Sequence, residues 1–245
     1  MLTTIALDYG NVLAGPVSGD WMLPANFPQA LGMANVLKFA AAAPKLPALL
    51  QQAKAYLDDN HLLHTEEEEY AQFREFYRIL FGGAGIKKGL GGICDGLARH
   101  SVYEDNAHQL YDDVLPGIVA LKEHHRVIVI SDTWPSLRRR LRNNGVLALL
   151  DDLIMSCDYG RCKNHEGGLL TSAIERRGVV PGETLFVDDS ADNLAAAKAL
   201  GFHAALMDRE GKAEDSEYKI VRGMEEVAAL ARGFTNARNT TQRII

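Results

Sequence analysis

Five short runs of nearly unbroken apolar residues constrain this chain more than any other feature. They are residues 5–7 (IAL), 126–131 (RVIVIS), 153–156 (LIMS), 184–189 (TLFVDD) and 203–207 (HAALM). Runs of three to six residues with no polar alternation suit strands covered on both faces, which is the condition of a parallel sheet. Helix patterns separate them. PGIVALKEHH begins with Pro116 near a helix start, SLRRRLRNNG stops at Asn144-Gly145, SADNLAAAKALG runs from a Ser cap to Gly201, and MEEVAALARG is the last clear element. Strand alternating with helix over residues 115–231 predicts a doubly wound α/β fold.

The alternation is interrupted once. After the first apolar run, about eighty residues carry helical periodicity and almost no strand pattern. MANVLKFAAAAPKLPALLQQAKAYLDD is apolar and alanine-rich, broken at Pro44 and Pro47. Thr65, with Glu68 three residues on, reads as a capping box for EEEEYAQFREFYRILF. Tyr70, Phe73, Tyr77 and Leu80 recur at helical spacing and are expected to pack in a core, and the Glu run is expected to be a solvated first turn rather than a metal site. The expected division is an α/β core of residues 1–15 and 99–245 and an all-helical insert of residues 16–98.

FGGAGIKKGLGG (81–92) is rich in glycine, but no Gly-Lys-Ser/Thr follows at the spacing of a phosphate-binding loop. It reads as a helix connection, with a loop that brings Lys87 or Lys88 to an anionic group as the alternative. His61 and His64 share a helix face without a third ligand in view, and His124-His125 fall at a helix end, so no zinc site is expected.

A net charge of −6 argues against nucleic acid as a partner. No apolar stretch approaches 18 residues and no basic amphipathic run is present, so no membrane association is expected. Cys94, Cys157 and Cys162 are odd in number and form no CxxC, and the N-terminus lacks a signal-peptide pattern. The expectation is a cytoplasmic protein with reduced thiols. No feature of the sequence specifies an oligomeric state.

Chemistry-bearing residues gather at the C-terminal ends of the apolar runs, the edge where open α/β sheets bind ligands. Asp8 ends the first run and Ser131 the second. Lys163 follows the third, and Asp188-Asp189 end the fourth, with Asp192 and Asn193 one helical turn on. Taken singly, each residue is ambiguous: a strand-end Asp or Ser commonly caps a helix, and a loop Lys is commonly solvated. Tandem carboxylates on a buried edge repel one another and persist best beside a divalent cation. Oxygen ligands from Asp8 and the Asp pair suit Mg2+, and Lys163 and Ser131 would supply a positive charge and a donor to a phosphate. Trp134, three residues past Ser131, reads either as a pocket-mouth residue or as packing.

This ordered set resembles the haloacid dehalogenase (HAD) superfamily. LDYGNVL resembles the first motif of that family, VIVISDT the second, the Lys163 of SCDYGRCKNHEGG the third, and LFVDDSADNLAAAKALGF the fourth. The resemblance covers essentially the whole chain, and a helical insert between the first two motifs is where the dehalogenase-like subgroup carries its cap. It implies that Asp8 is a nucleophile forming an aspartyl-phosphate. It also implies that Mg2+ is held by Asp8, the Gly10 carbonyl and Asp189 with Asp188 in support, and that Ser131 and Lys163 grip the phosphoryl oxygens. Asp192 and Asn193 would cap or orient the motif-four turn. The implied activity is a Mg2+-dependent phosphomonoesterase acting on a small phosphorylated metabolite. Dehalogenation is not expected, because that branch of the family lacks the paired motif-four acids.

Two departures bear on the chemistry. Most phosphatases of the family carry a second Asp two residues after the nucleophile, where this chain has Gly10, which has no side chain for acid–base work. Three readings follow: a substrate with a good leaving group, such as a sugar phosphate; phosphonate cleavage through a Schiff base on a cap lysine, for which Lys38, Lys45 and Lys54 are the candidates; or a phosphate-binding protein of weak activity. The proline that commonly follows the motif-three Lys is also replaced, by Asn164.

Overall fold

The computed structural model describes residues 1–241, with side chains through Phe234. In chain order the elements are β1 (Thr4–Leu7), β2 (Ala14–Pro16), α1 (Phe27–Leu31), α2 (Met33–Ala41), α3 (Leu46–Asp59), α4 (Glu66–Gly83) and α5 (Leu90–Tyr103). They continue with β3 (His108–Leu110), α6 (Val114–Lys122), β4 (Arg126–Ser131), α7 (Ser136–Asn143), β5 (Asp152–Met155), α8 (Leu169–Arg177) and β6 (Thr184–Asp188). The chain then runs through α9 (Ala191–Ala199), β7 (His203–Met207), β8 (Lys219–Val221) and α10 (Met224–Thr241).

Six strands form one sheet in the order β5-β4-β1-β6-β7-β8, and every neighbouring pair is parallel. All five apolar runs are strands of this sheet. The strands β1 and β6 are buried along their whole length, as continuous hydrophobicity requires of a sheet covered on both faces. Two details differ from the sequence expectation. The run at 153–156 is shifted by one residue, since Ser156 opens a 3-10 turn. The strand β8 carries no apolar run to announce it, being three residues led by an exposed lysine. The short strands β2 and β3, equally without a sequence signal, make a separate two-stranded sheet.

Backbone contacts divide the chain into two compact units. Among the described residues, one comprises Met1–Gly15, Leu110–Thr133 and 138–241; the other comprises Pro16–Gln109 and Trp134–Leu137. The peptide bond at 98/99, expected as a boundary, lies within α5, a continuous helix packed on α4, and the second unit extends to Gln109.

In the first unit, Ala6, Ile128, Ile130, Ile154 and Phe186 of the sheet join Leu170, Ala173, Leu194 and Phe202 in one apolar cluster. Helices α6 and α10 pack on each other. Their approach depends on Gly117, where a Cβ would fall 2.2 Å from the Met224 Cβ.

In the second unit, Phe73, Phe76, Tyr77, Leu80 and Phe81 of α4 pack with Leu57 of α3 and Ile93, Leu97 and Val102 of α5. Phe73, Tyr77 and Leu80 of the aromatic stripe are therefore core, and Tyr70 packs half-buried at its edge. Helix α4 starts at the expected capping box: Thr65 Oγ1 accepts the Glu68 N–H, and Glu68 Oε2 accepts the Thr65 N–H at 3.1 Å. The Glu run is not uniformly solvated, however. Glu69 is buried, and its carboxylate accepts the Ser136 N–H and Oγ–H, each at 2.7 Å. Gln72, one turn on, accepts the Trp134 Nε1–H at 2.7 Å, so Trp134 is anchored by packing on Phe73 and His61. The glycine-rich stretch is a helix connection, with Gly85 (φ 86°) and Gly89 (φ 73°) in the left-handed region and Lys87 and Lys88 exposed. No helix among the described residues is long and apolar enough to cross a membrane.

Candidate active site

The strand order places β1 at the centre, with β4 and β5 to one side and β6, β7 and β8 to the other. The order reverses at β1, so a ligand crevice is expected at the C-terminal ends of β1, β4 and β6. Asp8 directly follows β1, Ser131 is the last residue of β4, and Asp188 is the last residue of β6 with Asp189 beside it. Lys163 reaches the same place from the loop between β5 and α8, where its side chain is almost wholly buried.

The Lys163 ammonium is the centre of the cluster. Its Nζ lies 2.8 Å from Asp8 Oδ1 and 2.6 Å from Asp188 Oδ2. Asp188 is fully buried and saturated with donors. Its carboxylate also accepts the Ser190 N–H at 2.8 Å and the Asn193 Nδ2–H at 3.1 Å. Asp8 differs: the contact with Lys163 is an ion pair without hydrogen-bond alignment, and Oδ1 is a buried oxygen with no hydrogen-bond partner. One ligand oxygen from each of Asp8, Asp188 and Asp189 can be chosen so that all three lie within 4.8 Å of one another.

Electrostatics follow from burial. Loss of water pushes the Asp8 carboxyl up to about 7, with Lys163 and the Ser131 hydroxyl pulling it down and Asp188 pushing it up. Burial alone would lower the Lys163 pKa, but the charges of Asp8, Asp188 and Asp132 overcome it and hold the amine protonated. Desolvation raises Asp189 as well, against the hydrogen bond from Asn11.

Of the residues singled out by sequence, Asp8, Ser131, Lys163, Asp188 and Asp189 meet here, and Gly10 stands in the turn after β1. Asn193 joins them as a donor to Asp188, while Asp192 lies exposed in the first turn of α9. Lys38, Lys45 and Lys54 are exposed, so none is a desolvated amine of the kind Schiff-base chemistry uses.

Two further residues carry no signal in the sequence. Asn11, not Gly10, takes the left-handed conformation of the turn (φ 52°), and its Nδ2 donates to Asp189 Oδ2 at 2.8 Å. Asp132 follows Ser131, and its Oδ1 accepts the Lys163 N–H at 2.9 Å. An Asn in a turn is ordinary, and an Asp after a strand-end Ser is an ordinary cap, so neither residue type stands out without its tertiary contacts.

The family model of the haloacid dehalogenase-like hydrolases matches residues 9–201. The chain belongs to that family of hydrolases. Among its relatives, the enolase-phosphatase E1 of Sordaria macrospora is 28% identical over 134 residues, which cover 49% of this chain and 57% of that protein. The chain thus matches little more than half the length of that relative.

The fold recurs in solved structures. The L-2-haloacid dehalogenase of Xanthobacter autotrophicus superposes with a TM-score of 0.64 at 17% identity, over 95% of this chain and 99% of that one. A magnesium-bound HAD-hydrolase of Bacillus subtilis superposes with a TM-score of 0.63 at 17% identity, over 94% and 99% of the respective chains. At these identities the likeness concerns the fold. It covers nearly the whole of each chain, helical unit included.

Proposed function

We propose that this HAD hydrolase is a Mg2+-dependent phosphomonoesterase acting on a small phosphorylated metabolite through an aspartyl-phosphate. The observation that carries the reading is the convergence of the buried Asp8 and Asp188 on the Lys163 ammonium, with the more solvent-accessible Asp189 completing the cluster of three carboxylates.

The donor set fits a hard divalent cation. An octahedral ion with bonds of about 2.1 Å spaces its ligand oxygens roughly 3–4.2 Å apart, close to the spread of the three carboxylates. Asp8 Oδ1, ion-paired with Lys163 but accepting no aligned hydrogen bond, keeps lone-pair capacity for a metal, and Asp189 and the Gly10 carbonyl would complete the protein's share. Asp188, already committed to Lys163, Ser190 and Asn193, supports them. When bound, Mg2+ would neutralise phosphoryl charge and draw the elevated Asp8 pKa back toward an ionised carboxylate.

In this reading an Asp8 carboxylate oxygen attacks phosphorus, a P–O bond forms, and the bond to the leaving alkoxide breaks. Ser131 and Lys163 hold the non-bridging oxygens. The alkoxide takes its proton from solvent, because Gly10 offers no carboxyl to supply it. Water then attacks the aspartyl-phosphate, releasing orthophosphate and restoring Asp8. The missing carboxyl favours substrates whose leaving group needs little protonation, of which sugar phosphates are one class. The enolase-phosphatase relative supports phosphoester chemistry over dehalogenation. The helical unit is read as the substrate-selecting cap.

The test is Mg2+-dependent turnover of an aryl phosphate and of a panel of metabolite phosphates, with Asp8→Asn as the control. Release of orthophosphate by wild type and its loss in the variant are expected. Absence of turnover across the panel at saturating Mg2+ would sink the reading, and activity retained in Asp8→Asn would remove Asp8 as the nucleophile.

A further inference from the structure

Lys163 carries the positive charge of the site from a loop, and its position has to be enforced by something other than regular structure. The family's proline after this lysine, which would stiffen the backbone, is Asn164 here. The loop closes on itself instead. Leu169 N–H donates to the Cys162 carbonyl at 3.1 Å and Gly168 N–H to the His165 carbonyl at 2.9 Å. Gly168 sits so tightly that a Cβ would fall 2.2 Å from the Cys162 oxygen and 2.6 Å from that of His165.

This closure shapes the loop but does not anchor it to the sheet. The bond from the Lys163 N–H to Asp132 Oδ1 does. Asp132 is itself held in place. The next residue, Thr133, donates its N–H to Ser156 Oγ at 2.8 Å, and the Ser156 hydroxyl returns a bond to the Thr133 carbonyl at 3.3 Å. Ser156 is fully buried just beyond β5. The preceding residue is Ser131, whose hydroxyl faces Asp8. One carboxylate therefore fixes the lysine backbone in the frame that also carries the serine.

We propose that Asp132 is a positioning residue that sets Lys163 relative to Ser131, so that the ammonium and the hydroxyl grip one phosphoryl group together. The role rests on the phosphatase reading for its consequence, but the clamp itself does not. Lys163 must place Nζ 2.8 Å from one carboxylate and 2.6 Å from another at the end of a four-carbon stem. A displacement of its Cα by about 1 Å reaches the reacting group undiminished, and errors of that size cost on the order of 100-fold in rate.

The experiment compares Asp132→Ala with Asp132→Asn, whose amide oxygen still accepts the Lys163 N–H. Steady-state kinetics at saturating Mg2+ and amide hydrogen exchange at Lys163 are measured on the full chain. For Asp132→Ala we expect kcat to fall by roughly 10- to 100-fold and the Lys163 amide to exchange faster. For Asp132→Asn we expect both to stay close to wild type. Where the Ala variant fails to fold, Asp132→Glu, which shifts the acceptor by one methylene, replaces it with the same expectation. The proposal is overturned if the Lys163 amide exchanges no faster in Asp132→Ala, or if Asp132→Asn loses activity while that amide stays protected, since charge and not position would then matter. If wild type turns over no phosphate ester, the phosphatase reading fails, and the exchange measurement still decides the clamp.

Discussion

Lys163 Nζ lies 2.8 Å from Asp8 Oδ1, and both side chains are withdrawn from water. Removing one partner of such a pair leaves the other charge buried and uncompensated, which costs about 3–5 kcal/mol. Lys163→Met is therefore expected to lose that much stability at neutral pH in the presence of EDTA, read from urea unfolding, and to lose turnover. A loss below about 1 kcal/mol would show that the pair is not buried in solution as it is here.

Asn11 acts on the proposed metal site through Asp189. Asn11→Gly keeps the left-handed backbone at no strain and removes only the amide donor to Asp189 Oδ2. Loss of a bond that orients a ligating carboxylate commonly weakens metal binding by roughly 10–100-fold. The apparent Mg2+ dissociation constant should rise by that factor, with kcat at saturating Mg2+ changed far less. A Mg2+ titration of activity checks it, and an unchanged constant would remove Asn11 from the site.

Glu69 closes the N-terminus of α7 from a different helix. Glu69→Ala leaves the Ser136 N–H and hydroxyl without their acceptor in a buried position, and unsatisfied groups of this kind cost about 1–3 kcal/mol. The variant should unfold at correspondingly lower urea concentration, and Glu69→Gln, which keeps one acceptor oxygen, should lose less. Equal midpoints for Glu69→Ala and wild type would contradict the arrangement.

Asp113 supplies a pH signature apart from the active site. Burial alone would raise its pKa, but the bonds from Arg209 Nη1 at 2.7 and 2.8 Å and from the Met224 N–H at 2.8 Å outweigh it and hold the carboxyl below its ordinary value of 3.8. A depressed carboxyl stabilises the fold above its unfolded pKa, and that stability is lost as pH falls through the folded value. Asp113→Asn should therefore be less stable than wild type from pH 7 down to about pH 4, with the gap closing in more acid solution. Urea midpoints from pH 2.5 to 7 check this, and a gap that widens in acid would reverse the assignment.

The core of the fold is legible in the sequence. Residues 126–131 and 184–189 have no polar alternation, and only a sheet with both faces covered buries such runs, so five of the six strands of the main sheet follow from local pattern. The strand β8 does not, because its pairing with β7 and not its own composition makes it a strand. Within the helical unit the capping box at Thr65 and the aromatic stripe of α4 are local patterns and survive unchanged. Glu69 reads like its three neighbours, since nothing local distinguishes the fourth glutamate of a run from the first.

The site divides the same way. Strand ends are set by sequence, so Asp8, Ser131, Asp188 and Asp189 fall on one edge from the apolar pattern alone. The partners Asn11 and Asp132 are not marked there, because each acts across a long stretch of chain, on Asp189 and on the Lys163 amide. By itself the sequence determined which residues stand at the ends of the strands, because hydrophobic periodicity is local. Only the tertiary structure decided which polar groups hold them there, because a hydrogen bond of about 3 Å depends on where distant backbones come to rest.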